Sequence, residues 1–168
     1  MSEKNELSEG RTPGNMGGAR AFQLPPIVVL HIDDDANDTA LLQAATRRAG
    51  VSFQLHNAHD SEQAISYLSG QGNFADRKAH PLPSLVLLDL KMPRATGFEL
   101  LRWIRSRIQF TNLPVIVLSG SELKDDIRRA YDIGANSYLV KPLGFEALVS
   151  MVKQLSNSWV PGRKISVA

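Results

Sequence analysis

The chain has 168 residues, of which 43% are hydrophobic and 21% are charged, and its formal net charge is +2. This composition is typical of one globular domain with a short additional segment, and it excludes a wholly disordered protein. The near balance of charge, without a long Lys/Arg run, argues against direct DNA binding, and the absence of cysteine excludes a disulfide framework and a thiolate metal site.

The ends of the chain differ from its middle. Residues 1–25 are rich in Gly, Ser, Glu and Asn and show no apolar periodicity, which predicts a flexible N-terminal arm. We predict one domain over residues 26–158 and a short tail over 159–168, with no attached output domain. No apolar stretch reaches the roughly 18 to 20 residues of a membrane span, and the N-terminus lacks the apolar segment of a secretion signal. We therefore expect a cytoplasmic protein without membrane contact.

Short apolar runs alternate with amphipathic segments along the domain. We predict strands at 27–32, 51–58, 85–88, 115–118 and 137–140, and helices at 37–49, 61–68, 97–107, 122–131 and 145–157. Runs that are apolar throughout are typical of strands buried on both faces, and their alternation with helices predicts a parallel sheet covered by helices on both sides. Residues 70–83 form a polar connection that is longer than usual between a helix and a strand.

Polar side chains follow four of the predicted strands at the point where each strand ends. In a parallel sheet these ends share one edge, where the following helices also begin and where ligands bind. The residues at these ends are Asp34, Asp89, Ser119 and Lys141. The sequence therefore predicts a functional site at this edge.

Three carboxylates are brought to the same edge by Asp33, Asp34 and Asp89. Without a counter-ion they would repel one another and raise one another's pKa. A hard divalent cation such as Mg²⁺, which prefers oxygen ligands and retains several waters, would relieve that repulsion. The alternative is that the acidic run at 33–35 only caps the first helix, as Asp35 can do, although Asp89 is poorly placed for capping.

Ser119 and Lys141 would supply a hydroxyl and an ammonium for an anion held between them and the metal. A phosphoryl group fits this set, because its equatorial oxygens can take the metal, the Lys141 charge and the Ser119 hydroxyl while Asp89 acts as the in-line nucleophile. Two alternatives remain open. Lys141 could form a structural ion pair with an Asp, and the Ser119 hydroxyl could be satisfied by the backbone.

From residue 27 to about residue 157 the chain closely resembles the receiver domains of response regulators. The motifs that carry the resemblance are VLHIDDD at 29–35, LVLLDLKMP at 85–93 followed by Gly97, PVIVLSG at 114–120 and GANSYLVKP at 134–142. The resemblance implies a flavodoxin-like, doubly wound α/β fold, a five-stranded parallel sheet in the order 2-1-3-4-5 with five helices. The connection at 70–83 resembles that of single-domain regulators paired with phytochrome-like histidine kinases.

The same resemblance implies roles for the residues at the strand ends. Asp89 would accept a phosphoryl group from a phosphohistidine of a sensor histidine kinase or a phosphotransfer protein, and Ser119 and Lys141 would contact that group. The groups that would hold Mg²⁺ are the side chains of Asp33, Asp34 and Asp89 and the backbone carbonyl of Lys91.

The resemblance also implies a switch and an output surface. On phosphorylation Ser119 would be drawn towards a phosphoryl oxygen, and Tyr138, the switch aromatic, would rotate into the vacated space. A cis Lys141–Pro142 bond would aim the ammonium inward.

The output implied by the resemblance is contact with a downstream protein or phosphoryl relay. The expected contact surface is the face formed by the predicted fourth helix, fifth strand and fifth helix, and a homodimer would use the same face.

Other functions compete with this prediction. A pseudo-receiver uses the same fold as a constitutive interaction module, but degenerate receivers usually lack one or more of the site residues that are all present here. A Mg²⁺-dependent phosphatase acting through an aspartyl phosphate usually carries a second Asp two residues after its nucleophile, where this chain has Lys91. A flavin or nucleotide binder would need a Gly-rich phosphate loop after the first strand. We therefore predict a phosphoacceptor with self-phosphorylation and slow autodephosphorylation, and not an enzyme.

Overall fold

The computed structural model describes residues 27–93 and 96–158. The predicted arm at 1–25 and the predicted tail at 159–168 lie outside the described residues, so the domain boundaries stay a prediction. The strands are β1 (Ile27–Ile32), β2 (Phe53–Ala58), β3 (Leu85–Leu88), β4 (Val115–Ser119) and β5 (Ser137–Val140). The helices are α1 (Ala36–Ala49), α2 (Ser61–Ser69), α3 (Gly97–Arg105), α4 (Lys124–Ile133) and α5 (Phe145–Ser158). Within the two described ranges, no helix combines the length and the apolar character that crossing a membrane requires.

The five strands form one parallel sheet in the order β2-β1-β3-β4-β5. The predicted fold class and strand order are therefore confirmed. From β1 the chain first winds outward to β2 and then crosses back to β3, so the direction of winding reverses between β1 and β3. In doubly wound sheets, the crevice outside the carboxyl ends of the strands at such a reversal is where ligands bind.

Helices cover both faces of the sheet and separate two hydrophobic cores. Alternate residues of β1 point to opposite faces. Leu30 and Ile32 pack with residues of α2, α3 and α4, whereas Val29 packs with residues of α1 and α5. All four residues of β3 are buried. Burial on both faces explains why the central strands are unbroken apolar runs in the sequence.

Some element boundaries differ from the predicted ones. β2 begins at Phe53 and not at Val51, because Phe53 is level with Ile27, the first residue of β1. α4 spans Lys124–Ile133 and not 122–131. The residue that ends it is Gly134, whose φ of 115° is a left-handed conformation that favours glycine.

The long connection at 70–83 is anchored by Arg77. Its guanidinium donates to the backbone carbonyls of Tyr67 at 2.8 Å, Leu68 at 2.9 Å and His80 at 3.2 Å. A cation beside the last carbonyls of a helix satisfies free acceptors and interacts favourably with the helix dipole. Arg77 therefore fixes this connection against the C-terminal end of α2.

Arg105, the last residue of α3, anchors the connections that precede β4 and β5. The acceptors of its guanidinium are the carbonyls of Gly134 at 2.7 Å, Leu113 at 2.8 Å and Phe110 at 3.2 Å, and Asn136 Oδ1 at 2.8 Å. Burial lowers the pKa of Arg105, but it remains far above neutral pH. A charged donor thus holds two separate segments of the chain together.

Replacing Arg105 with alanine should lower the free energy of unfolding by about 2 to 4 kcal/mol, because hydrogen bonds from a charged donor are lost and partly buried carbonyls are left without partners. Urea unfolding followed by circular dichroism measures the change. Arg102→Ala removes an exposed arginine from the same helix, and it should cost less than about 0.5 kcal/mol. Equal losses in the two variants would show that Arg105 is not an anchor.

Candidate functional site

Hydrogen bonding between β1 and β3 places Asp33 and Asp89 side by side at the C-terminal edge of the sheet. Ile32 is level with Leu88 in the pairing of the two strands, and the Asp89 N–H donates to the Ile32 carbonyl at 2.9 Å. Both acids are buried, with 1% of Asp33 and 6% of Asp89 exposed. Buried carboxylates require a counter-charge or hydrogen-bond donors.

Lys141 supplies that counter-charge. It follows β5, and its backbone N–H donates to the Ser119 carbonyl at 2.9 Å. Its Nζ lies 2.6 Å from Asp38 Oδ2, 2.7 Å from Asp33 Oδ2 and 2.9 Å from Asp89 Oδ2. An ammonium has three N–H donors, so these three carboxylates engage all of them. The structural ion pair that the sequence analysis gives as an alternative for Lys141 is present, and it includes Asp89.

The contacts of this ion cluster shift the pKa values of its members in opposite directions. Burial by itself would raise the pKa of Asp33, but hydrogen bonds from His31, Lys141 and the Asp35 backbone lower it to about 2. Burial by itself would lower the pKa of Lys141, but its hydrogen bonds to carboxylates raise it above the ordinary value. Asp33 and Lys141 therefore both remain charged at neutral pH.

The three acids of the 33–35 run have different surroundings. Asp33 Oδ1 accepts a hydrogen bond from the Asp35 N–H at 2.9 Å, and Asp35 Oδ1 accepts one from the Asn37 N–H at 2.7 Å. Asp35 is thus the N-cap of α1, whereas Asp33 is turned towards Lys141 and Asp34 is exposed. Capping explains only Asp35, so the alternative that the whole run is a cap is wrong.

The carboxylates can be brought around one ion. One oxygen each from Asp33, Asp34 and Asp89 lies within 4.8 Å of the others. A donor set made only of carboxylates suits a hard divalent cation such as Mg²⁺. The Lys91 N–H donates to Asp89 Oδ1 at 3.1 Å, and the role of the Lys91 carbonyl as a further ligand stays a prediction.

Ser119 and Tyr138 meet at the loop that follows β4. Ser119 is completely buried, and its Oγ accepts from the Ser121 N–H at 3.4 Å. The Tyr138 hydroxyl donates to the Ser121 carbonyl at 2.8 Å, and its ring packs against the core shared with α2, α3 and α4. Burial raises the pKa of Tyr138, which keeps its hydroxyl a donor. Tyr138 already lies beside Ser119 in this state, so a rotation on phosphorylation stays a prediction.

Comparison with known proteins identifies the family. Residues 29–153 match the response regulator receiver domain. The chain belongs to this family. Solved structures that resemble this receiver include those of RPA3017 of R. palustris, RcpA of a cyanobacterium and Rcp1 of Synechocystis.

RPA3017, a response regulator in red light signalling, is 37% identical with a TM-score of 0.77, over 84% of this receiver and 99% of its own chain. The phosphorylated phytochrome response regulator RcpA is 31% identical with a TM-score of 0.73, over 80% of this receiver and 94% of its own chain. Rcp1, whose structure was solved in a Mn²⁺-bound form, is 29% identical with a TM-score of 0.71, over 84% of this receiver and 100% of its own chain. The predicted resemblance to regulators of phytochrome systems is confirmed by these relatives.

One expectation drawn from other receivers is wrong for this one. No cis peptide bond occurs among the described residues, so the Lys141–Pro142 bond is trans. The ammonium nevertheless reaches Asp33 and Asp89, because the long, flexible Lys141 side chain can bring the charge inward from a trans backbone.

A glycine fixes the approach of α3 to the predicted phosphoacceptor of this receiver. Gly97 is the first residue of α3, and its N–H donates to the Leu90 carbonyl at 3.2 Å. A Cβ at this position would collide with the Asp89 carbonyl oxygen and lie 2.7 Å from Leu90 Cα. Both obstacles are backbone atoms that cannot rotate away. Gly97 is therefore required for the helix to begin this close to Asp89.

Two residues of the receiver site were missed by the sequence analysis. His31 is buried in β1, and its Nε2 lies 3.5 Å from Asp33 Oδ2. The alternation of a strand puts positions 31 and 33 on one face, which was a usable indication. Asp38 contacts Lys141 from the first turn of α1. An acid in the first turn of a helix is usually explained by its favourable interaction with the helix dipole. The sequence therefore gives no reason to expect a distant partner for Asp38.

The lowered pKa of Asp33 predicts a pH-dependent stability of the metal-free protein. The pKa of Asp33 is about 2 in the folded state against an ordinary 3.8, so the unfolded state binds this proton more readily. The stabilisation is complete above about pH 5, is lost as the pH falls through the folded pKa, and amounts to about 2 kcal/mol. Urea unfolding between about pH 6 and pH 2 measures it.

The matched variants for this measurement are Asp33→Asn and Asp125→Asn. The first should flatten the dependence of unfolding free energy on pH over that interval. The second removes an exposed acid from the first turn of α4 and should leave the slope unchanged. If Asp33→Asn and the wild type show the same slope, the carboxylate is not held in its charged form by the cluster.

Proposed function

We propose that this receiver is a phosphorylation-dependent switch in which Asp89 accepts a phosphoryl group from a phosphohistidine of a sensor histidine kinase or a phosphotransfer protein. The observation that carries the proposal is the Lys141 ammonium, which lies 2.9 Å from Asp89 Oδ2. Beside it stand two further carboxylates that can share a metal with Asp89. The site thus combines a nucleophile with positive charge for the transferred group.

The transfer would proceed by in-line displacement at phosphorus. A carboxylate oxygen of Asp89 would form a bond to phosphorus while the phosphorus–nitrogen bond of the phosphohistidine breaks, and that electron pair would remain on the histidine nitrogen. Lys141 would donate to one oxygen of the resulting acyl phosphate, and the Ser119 hydroxyl would donate to another. These charge-assisted donors act where negative charge accumulates during transfer.

A Mg²⁺ ion would complete the charge balance. The groups proposed to hold it are the side chains of Asp33, Asp34 and Asp89 and the Lys91 carbonyl. When bound, Mg²⁺ would offset the negative charge of the carboxylates and of the phosphoryl oxygens. Two relatives support this proposal, since Rcp1 has been crystallised with Mn²⁺ and RcpA in a phosphorylated form.

Incubation with Mg²⁺ and acetyl phosphate tests the proposal through intact mass. The wild type should gain the mass of one phosphoryl group only when Mg²⁺ is present, because Asp89 is the single proposed acceptor. Asp89→Asn should gain none. Asp125→Asn, which removes an exposed acid outside the site, should behave as the wild type does.

Two results would replace the proposal with one of its competitors. No adduct and no consumption of acetyl phosphate would favour a constitutive interaction module. Rapid consumption without an accumulated adduct would favour a Mg²⁺-dependent phosphatase.

We propose a phytochrome-type histidine kinase as the natural donor and the cytoplasm as the location. The support is the similarity to RPA3017 and RcpA, whose descriptions name red light signalling and a phytochrome. The same mass assay, with an autophosphorylated phytochrome-type kinase as the donor, tests the class of partner. Slower transfer from it than from an unrelated histidine kinase would contradict the assignment.

The signal would leave the site through Ser119 and Tyr138 towards the face formed by α4, β5 and α5. This face carries exposed apolar side chains, which are unfavourable in water unless a partner covers them. They are Leu123 at 66%, Tyr131 at 48%, Val140 at 39%, Leu143 at 107% and Phe145 at 38% exposure. We propose that the face contacts a downstream protein or a second copy of the chain.

A charge introduced on this face should weaken a homodimer. Leu143→Asp should raise the dimer dissociation constant by tenfold or more, because a desolvated charge opposes burial of the patch. Analytical ultracentrifugation with and without acetyl phosphate measures it. Ile108→Asp is the control, since Ile108 is 94% exposed in the connection between α3 and β4. This connection precedes the first residue of β4, whereas Leu143 follows the last residue of β5 at the other end of the strands. If the wild type remains monomeric in both conditions, the homodimer is excluded and the face is left to a different protein.

A further inference from the structure

Asp38 is the Lys141 partner that stands outside the candidate metal group. Its Oδ2 lies 2.6 Å from the Lys141 Nζ, whereas the carboxylates that can share a metal are those of Asp33, Asp34 and Asp89. The Asp38 side chain is 37% exposed, compared with 0% for Asp33 and 7% for Asp89. Water can therefore solvate the Asp38 carboxylate more readily than the other two Lys141 partners.

The three bonds of Lys141 leave it no donor for a fourth acceptor. A phosphoryl group on Asp89 can gain a hydrogen bond from this ammonium only if one carboxylate gives up its own. Asp33 is buried and would be left without its counter-charge. Asp89 loses its charge only once its bond to phosphorus has formed, so it still holds the ammonium while the phosphoryl group approaches. At that stage release of Asp38 is the least costly, because an exposed carboxylate regains hydration and exposed ion pairs are weak.

Resting on the proposed phosphoacceptor function, we propose that Asp38 is a positioning residue that holds the Lys141 ammonium at the site and competes with the phosphoryl group for it. In the resting state Asp38 offsets part of the Lys141 charge and so reduces its repulsion of a divalent cation at the neighbouring carboxylates. As the phosphoryl group approaches, before Asp89 loses its charge, the Asp38–Lys141 bond opens and frees a donor for it. Removing Asp38 should therefore weaken Mg²⁺ binding and accelerate phosphorylation, two effects of opposite direction that a loosened fold would not produce.

The variant Asp38→Ala tests both effects. Isothermal titration calorimetry should give a Mg²⁺ dissociation constant about two- to fivefold higher than in the wild type, the size expected for one partly exposed charge pair. With Mg²⁺ saturating, kcat/KM for phosphorylation by acetyl phosphate should rise by about two- to fivefold, because Lys141 no longer has to leave Asp38. Unchanged values, or a fall in kcat/KM, would overturn the competition.

Two control variants separate this role from a general effect of charge. Asp125→Ala removes an acid from the first turn of a helix, as Asp38→Ala does, but from α4. It should leave both constants near the wild-type values. Asp38→Glu keeps a carboxylate within reach of Lys141 and should restore the wild-type behaviour. Failure of the glutamate to rescue, or an equal effect of Asp125→Ala, would contradict the proposal.

A third measurement needs neither metal nor phosphoryl donor. Competitive labelling with acetic anhydride should acetylate Lys141 several-fold faster in Asp38→Ala than in the wild type, because one of the three bonds that hold its ammonium is absent. Peptide mass spectrometry reports the rate, and equal rates would show that Asp38 does not hold Lys141. If Asp38→Ala labels faster but the wild type takes up no phosphoryl group, the proposed function fails, the competition fails with it, and only the holding role of Asp38 stands.

Discussion

The charge balance around the Lys141 ammonium is the constraint on which the rest of the site depends. β1 and β3 carry Asp33 and Asp89 into buried positions, where uncompensated charge would be strongly unfavourable. Lys141 comes from β5, which is at the edge of the sheet and separated from β3 by β4. The ion cluster thus links the C-terminal ends of β1 and β3 to the C-terminal end of β5. A transferred phosphoryl group would change the partners of the ammonium while its charge remains compensated.

Around this cluster the structure combines fixed and adjustable parts. Gly97 lets α3 begin against the backbone of Asp89, and no larger residue fits without moving backbone atoms. The loop after β4 is held differently, by side-chain hydrogen bonds. The Ser121 hydroxyl bonds to Asp126 at 2.5 Å and the Ser121 carbonyl accepts from Tyr138 at 2.8 Å. Such bonds can exchange partners without disturbing the packed core, so this loop is suited to transmit a change at Ser119 towards α4 and β5.

The sequence predicted the fold, and it predicted that Asp33, Asp34, Asp89 and Lys141 lie together at one sheet edge, because both depend on local patterns. Continuous apolar runs indicated buried parallel strands, and polar residues at strand ends indicated the site edge. What escaped prediction depends on tertiary contacts. The position of Asp38 gave no sign of a partner 103 residues away, and the end of α4 followed the left-handed backbone of Gly134 rather than the apolar pattern. The trans Lys141–Pro142 bond differed from the expectation carried over from other receivers, and local sequence permits either isomer.

The central claim is that the strand-end carboxylates form one site whose covalent acceptor is Asp89. The most direct measurement is borohydride reduction of the protein after exposure to acetyl phosphate and Mg²⁺, followed by peptide mapping, because borohydride reduces an aspartyl phosphate to homoserine. The account predicts homoserine at position 89, with none when Mg²⁺ is chelated. Homoserine at another acid, or phosphate found only on hydroxyl or imidazole side chains, would contradict it.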